Sequence, residues 1–236
     1  MTLYPNGKKM INIKALSFDL DDTLYDNKPV INNAYQLLYA YLKNNYPNFS
    51  NSFTFDSFIT SAIKIKQNHP DIADLNMIRR LHIKATLTTA GYTINSSKEQ
   101  QAFDVFWQAR QNIELFPEAK DVLLKLSKQL PLVAISNGNA CIKSMGLEQF
   151  FQFSVSPLDT GQAKPHPSMF LYASEKLNIK PQELLHIGDM IDTDIIGAHQ
   201  AGCRSVWFNQ NQQQPINNPA DLIIENLSDL LTLNFY

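Results

Sequence analysis

At 236 residues, with 44% hydrophobic and 11% aromatic side chains, the chain has the length for one large domain, or for a core domain with a smaller one attached, and the apolar content for a sizeable core. A formal net charge of -2 with scattered Lys and Arg gives no basic field for nucleic acid, and no apolar run reaches the roughly 18 residues of a membrane span. The opening MTLYPNGKKMIN has no signal-peptide core, and Cys141 and Cys203 lack metal-ligand spacing, so a cytoplasmic protein with no membrane partner and two free thiols is expected.

Residues 1–10 read as a polar lead-in. The first strand is expected over about Ala15–Asp19, and it runs into the acidic stretch FDLDD, where Asp19, Asp21 and Asp22 crowd the strand's exit from the core. Like charges this close raise at least one pKa, and carboxylates at the end of a buried strand need a cation or hydrogen-bond donors. From Pro29 to about Arg110 the texture is helical. Helices are expected over Pro29–Asn45, Phe55–Gln67, Ile72–Ala90 and Ser97–Arg110, the last with a capping arrangement from Ser96 or Ser97 with Glu99 and Gln100. Tyr35, Tyr39 and Trp107 fit the core of such a bundle.

After Pro117 helix and strand alternate. Helices are expected over Glu118–Gln129, Ala140–Met145, Pro167–Leu177, Asp192–Ala201 and Leu227–Leu231. Strands are expected over Leu132–Ile135, Phe153–Val155, Leu184–Ile187, Ser205–Phe208 and Leu222–Ile224, with Asn209–Asn218 (NQNQQQPINN) as a surface loop. Short buried strands separated by helices predict an α/β fold with a parallel sheet covered on both faces.

In such sheets ligands bind beyond the carboxyl ends of the strands. Asp19 and Asp21 follow ALSF, Ser136 and Asn137 follow LVAI, Gly188 and Asp189 follow LLHI, and Lys164 lies in the GQAKPHP loop after the third strand. Four loops can therefore converge on one site. Taken in order, FDLDDTL, ISNG, KPHP and GDMIDTD resemble the four motifs of the haloacid dehalogenase (HAD) superfamily of phosphohydrolases. The helical stretch after the first motif is similar to the C1 cap of its first subfamily.

The resemblance implies a HAD-like Rossmannoid core over residues 1–26 and 111–236 and an inserted four-helix C1 cap over 27–110. It implies Asp19 as the nucleophile that forms an aspartyl-phosphate, and Asp21 as the acid and base that protonates the leaving alkoxide and then deprotonates water. Asp19, the main-chain carbonyl of Asp21, and Asp189 would hold Mg²⁺, with Asp194 bonding behind them. Ser136 would bind the phosphate through its hydroxyl, beside the Asn137 amide N–H, and Lys164 would neutralise the phosphoryl oxygens. Serine at 136, where many relatives carry threonine, keeps the hydroxyl.

Other polar residues are given structural roles: Asp192 as the cap of the helix that follows, Asp22 and Thr23 as supports of the first loop, His166 as a loop residue and His186 as a satisfied core residue. His69, His82 and His199 show no zinc-ligand spacing. Asp21 argues for phosphate-monoester hydrolysis over dehalogenation, because a halide leaves without a proton. Tyr25–Val30 and the turn before Phe116 are expected as hinges of a cap that admits only a small phosphorylated substrate. The tracts FDLDDTLYDNKPVI, PLVAISNGNA, EKLNI and LLHIGDMIDTDIIGA further resemble bacterial phosphatases of riboflavin biosynthesis, which act on flavin mononucleotide (FMN) and 5-amino-6-(5-phospho-D-ribitylamino)uracil. The alternatives are a sugar-phosphate or nucleotide phosphatase or phosphomutase of the same fold, and a non-enzymatic Mg²⁺-binding interaction module.

Overall fold

The computed structural model describes residues 12–138, 140–214 and 218–235, so the lead-in expected over residues 1–10 lies outside the described residues. The chain divides into two compact units, one formed by residues 1–26 and 114–236 and the other by 27–113.

The first unit is built on a six-stranded, all-parallel sheet. Its strands are β1 (Ala15–Phe18), β2 (Leu132–Ile135), β3 (Phe153–Val155), β4 (Leu184–Gly188), β5 (Arg204–Phe208) and β6 (Leu222–Ile224), in the order β3-β2-β1-β4-β5-β6. The runs ALSF, LVAI and LLHIG are buried along their whole length, which is why they read as continuous apolar stretches and not as alternating ones. With β2 on one side and β4 on the other, β1 occupies the point where the strand order reverses, and its carboxyl end opens where ligands bind in such sheets. One face of the sheet buries Val133, Ile135, Met169, Phe170, Ala173 and Ala198 in a common cluster.

The second unit is entirely helical: α1 (Asn27–Asn45), α2 (Phe49–Ser52), α3 (Phe55–Asn68), α4 (Leu75–Thr89) and α5 (Ser96–Arg110). In α1, Ala34, Leu38 and Leu42 fall four residues apart and bury one stripe, which joins Phe49, Phe58, Ile83, Leu87 and Phe106 in a core of its own. Tyr35, Tyr39 and Trp107 pack against that core half-buried. The guanidinium of Arg79 is clamped between the rings of Tyr35 (4.3 Å) and Phe106 (4.1 Å). Burial pushes the His82 imidazole down to about 3, so it stays neutral, with Nε2 2.8 Å from the Ser61 hydroxyl.

Local chemistry corrects three expectations. Helix α5 is capped by Asn95, whose side chain accepts from the Lys98 amide at 3.0 Å, and not by Ser96 or Ser97. Residues 142–146 form turns where a helix was expected over Ala140–Met145: Met145 N donates to Cys141 O at 3.0 Å, and the chain then reverses at Gly146, whose φ is 70°, with Leu147 N donating to Ile142 O at 2.7 Å. Asp192 does not cap a helix: it lies inside a wide π-type turn, Ile191–Ile195, which begins after Met190 and leads into the short helix Ile196–Gln200. The remaining helices of the sheet-containing unit include Ala119–Leu126, Pro157–Thr160 and Ser168–Lys176. Neither Cys141 nor Cys203 is in a disulfide, and among the described residues no helix is long and apolar enough to cross a membrane.

Phe58 is fully buried and meets the rings of Tyr35, Tyr39, Phe49 and His82. Phe58→Ala is expected to destabilise the helical unit by about 3–5 kcal/mol. Chemical denaturation followed by circular dichroism measures this, and a loss below about 1 kcal/mol would mean that the cluster does not hold the unit together.

Candidate active site

The site lies at the carboxyl ends of β1, β2, β3 and β4. β1 delivers Asp19, whose backbone amide continues the strand pairing by donating to Ile187 O at 2.9 Å. The chain then makes one tight turn. Leu24 N donates to Leu20 O and Asp22 N to Tyr25 O, each at 2.9 Å, while Asp22 adopts φ 58°, a left-handed conformation that Asp tolerates better than most residues. The turn buries the Tyr25 ring and aims its hydroxyl at the Asp21 carboxylate, to which it donates a hydrogen bond.

Lys164 is the fixed cation of the site. Its buried ammonium donates to Asp19 Oδ1 at 2.6 Å, Asp194 Oδ1 at 2.6 Å and the main-chain oxygen of Ile135 at 2.7 Å, so three N–H groups meet three acceptors. The loop that carries it is held by Asn137, whose amide group donates to Lys164 O at 2.9 Å and accepts from Lys164 N at 2.7 Å. Ser136 is buried beside this clamp, its backbone amide bonded to Val155 O and its hydroxyl oxygen accepting from Gly138 N at 3.1 Å.

After β4, the π-type turn folds Asp194 back over Gly188. Asp194 Oδ2 accepts from Met190 N at 3.0 Å and Oδ1 faces His186 Nε2 at 3.3 Å. His186 is completely buried, and its other ring nitrogen lies 2.9 Å from the hydroxyl of Ser17, its register partner on β1. Asp189 is half-buried, with Thr23 Oγ1 donating to its carboxylate at 3.2 Å and the Trp207 indole donating to its main-chain oxygen at 2.8 Å.

Oxygens of Asp19, Asp189 and Asp194 all lie within 4.8 Å of one another. Three carboxylates therefore gather around one ammonium that bonds only two of them, and the consequences differ by position. Burial works against ionised Asp194, but the Lys164 ammonium and the His186 bond prevail and hold its carboxyl well below the usual range. Burial would strip Lys164 of its proton, yet the two carboxylates beside it keep it charged. Asp19 is left under-compensated: burial and the charges of Asp194 and Asp21 outweigh Lys164 and raise its pKa well above the ordinary value. Burial, with Asp194 and Asp22, pushes Asp189 up to about 7. A dense, all-oxygen donor set short of positive charge fits a hard divalent cation such as Mg²⁺.

Of the residues singled out in the sequence, Asp19, Lys164 and Asp194 are in direct contact, and Asp189 stands beside them. Asp21 lies outside the carboxylate trio, on its Tyr25 bond. The side chain of Asn137 ties down the lysine loop, a use that its position after β2 did not disclose. His186, Tyr25 and Trp207 support the site and were not assigned to it from sequence, since each acts through a partner that only the fold brings near.

A Cβ at Gly188 would lie 2.4–2.6 Å from the Asp194 side chain, closer than side-chain carbons approach one another. Gly188→Ala is thus expected to push Asp194 off Lys164, lowering stability by about 1–3 kcal/mol and turnover by about 10²-fold. Thermal melts and kcat on a generic phosphate ester measure both, and wild-type turnover in the variant would show that Asp194 need not sit where it does.

The sequence model of the haloacid dehalogenase-like hydrolases matches residues 13–202. The chain is 35% identical over 199 residues to the 5-amino-6-(5-phospho-D-ribitylamino)uracil phosphatase YigB of Escherichia coli strain K12, covering 83% of each protein. It is 28% identical to the phosphoglycolate phosphatase of Photorhabdus laumondii, over 96% of this chain and 94% of that protein. Among solved structures, one titled 2-haloacid dehalogenase, from Pseudomonas syringae pv. Tomato DC3000, superposes with a TM-score of 0.84 at 32% identity, covering 93% of this chain and 97% of that one. A parallel sheet with its acids and its lysine gathered at one rim, and a matched sequence over most of its length, place the chain in the family of haloacid dehalogenase-like hydrolases.

Proposed function

We propose that this haloacid dehalogenase-like phosphatase hydrolyses a phosphorylated ribityl compound, FMN or 5-amino-6-(5-phospho-D-ribitylamino)uracil, through an aspartyl-phosphate on Asp19. The observation that carries the reaction class is the Lys164 ammonium held 2.6 Å from Asp19, with Asp21 two residues further on. The 35% identity to YigB supports the substrate class.

In this reading Asp19 attacks phosphorus as the ester P–O bond breaks, and the departing alkoxide takes a proton from Asp21. Asp21, now ionised, then accepts a proton from water as that water displaces Asp19 from phosphorus, which releases phosphate and restores both carboxyl groups. Lys164 orients Asp19 and faces the phosphoryl oxygens, while the Ser136 hydroxyl and the Asn137 backbone amide bind them from the end of β2. The Tyr25 hydroxyl holds Asp21 in place for its two proton transfers. Asp19, the main-chain carbonyl of Asp21, and Asp189 would hold Mg²⁺, which when bound neutralises charge on the phosphate. Asp194 serves by fixing Lys164. Residues 27–110 act in this proposal as the cap that restricts the site to small substrates, the rest of the chain being the catalytic core.

Likeness to a structure titled 2-haloacid dehalogenase brings a second chemistry into view. Asp21 weighs against it, because a proton donor at that place is needed for an alkoxide and idle for a halide.

Two measurements test this proposal. Purified protein with Mg²⁺ is expected to release phosphate from FMN in preference to sugar phosphates and to release no halide from 2-chloropropionate, and Asp19→Asn is expected to lower turnover by at least about 10³-fold while remaining folded. FMN among the unreactive compounds would refute the substrate class, and an active Asp19→Asn would refute the nucleophile.

The second measurement concerns pH. With a folded pKa of about 7 against 3.8 for an ordinary Asp, metal-free Asp189 keeps a proton that the unfolded chain gives up, so stability present below 3.8 is lost as pH rises to about 7. Cation binding needs that group ionised. Added Mg²⁺ is therefore expected to raise Tm more at about pH 8 than at about pH 5. An equal shift at both values would remove Asp189 from the metal site.

A further inference from the structure

Ser17 on β1 and Asp19 just beyond it are two residues apart, so their side chains leave the extended chain on the same side. A closed series of polar contacts leaves β1 at the first and returns at the second. Ser17 Oγ lies 2.9 Å from His186 Nδ1, His186 Nε2 lies 3.3 Å from Asp194 Oδ1, and Lys164 Nζ lies 2.6 Å from both Asp194 Oδ1 and Asp19 Oδ1. All five residues are buried. A buried series of this kind holds together only where each donor faces an acceptor.

That requirement places the proton on His186. Burial lowers the pKa of the ring, which is therefore neutral and carries one N–H. The Asp194 carboxylate can only accept, so the N–H belongs on Nε2; on Nδ1 it would leave a nitrogen lone pair and a carboxylate oxygen facing each other at 3.3 Å. Nδ1 then accepts, and the Ser17 hydroxyl is its donor. The ring is fixed from a third side by Phe170, which meets it edge-on at 84° with centroids 4.9 Å apart. Gly197 makes room for that contact: a Cβ there would lie 2.9 Å from the Phe170 ring and 3.1 Å from Pro165, the neighbour of the lysine.

Asp194 Oδ1 thus accepts from an ammonium and from a neutral N–H. A carboxylate oxygen satisfied by a second donor draws less on the first, so Lys164 stays on Asp19 and does not close onto Asp194 alone. We propose that His186 is a positioning residue for the phosphoryl transfer: its Nε2–H, held in that form by the Ser17 hydroxyl, shares Asp194 with Lys164 and so keeps the attacking carboxylate of Asp19 in line. The inference rests on the phosphatase reading above and deepens it. In that reading Ser136 and Asn137 bind the phosphate, so loss of the Nε2–H lowers kcat and leaves KM little changed.

Nitrogen-15 NMR of the wild-type imidazoles at pH 7 reads the proton directly, with the His186 ring assigned through its contacts to the Phe170 ring. Nε2 is expected at the shift of an N–H and Nδ1 at that of a bare nitrogen; the reverse pattern, or two protonated nitrogens, would overturn the inference. Kinetics with Mg²⁺ on p-nitrophenyl phosphate separate positioning from packing. The amide of His186→Gln reaches the place of Nε2 and that of His186→Asn only the place of Nδ1, while both put an amide into the same buried space. His186→Asn is expected to lose about tenfold in kcat with KM within about twofold, and His186→Gln to keep kcat within about threefold of wild type. Equal kcat in the two variants, or a loss that falls on KM, would also overturn the inference. Asp19→Asn tells the two claims apart: turnover surviving in that variant refutes the aspartyl-phosphate reading, whereas turnover lost there but equal in His186→Gln and His186→Asn refutes the role of His186 alone.

Discussion

One buried ammonium organises the catalytic end of this protein. Lys164 spends its three N–H groups on Asp19, Asp194 and Ile135 O, and in doing so joins the exits of β1, β2 and β4 through a single atom. A compact, three-donor head on a flexible stem suits that geometry, and the planar fork of an arginine would not. The arrangement is costly in isolation, because a buried charge gains only from partners that stay in place. The surrounding structure keeps them there: Asn137 ties down the lysine loop with two bonds, Met190 N and His186 hold Asp194, and Ser17 on β1 holds His186.

The charge balance that follows gives the site its chemistry. Asp194, bonded on every side, is a settled anion, whereas Asp19 and Asp189 share a field that disfavours their ionised forms. Two of the three carboxylates thus stand ready for an external cation, and the third is committed to holding the internal one. In the proposed reaction that division separates the carboxylate that attacks, Asp19, from the one that holds the lysine, Asp194, although both belong to the same cluster.

Much of this was legible in the sequence because parallel strands buried on both faces leave continuous apolar runs. β2 begins and ends where such a run does, the edge strands β3 and β6 keep their expected bounds although Ser154 and Ile223 are exposed, and the polar residues after β1, β2 and β4 mark those strands' exits. Residues whose work depends on distant partners were not legible. Asn137 reaches a residue 27 positions on, and Tyr25 touches Asp21 only because the chain makes a left-handed step at Asp22. His186 looked like a core residue and is one, but its buried contact is with the acid that anchors Lys164. The segment 142–146 failed as a helix for a local reason, the left-handed step at Gly146 that closes its turn, which periodicity alone does not weigh.

The wide turn at Ile191–Ile195 has a consequence for how this protein can change over time. Its backbone reaches one residue further than an α-helix would, and that surplus residue sets the angle at which Asp194 leaves the chain. Loss of a single codon there would wind the segment as ordinary helix and swing the following side chains by about 100°. The length of the stretch is therefore restrained together with the identity of Asp194, because both decide whether the carboxylate reaches Lys164.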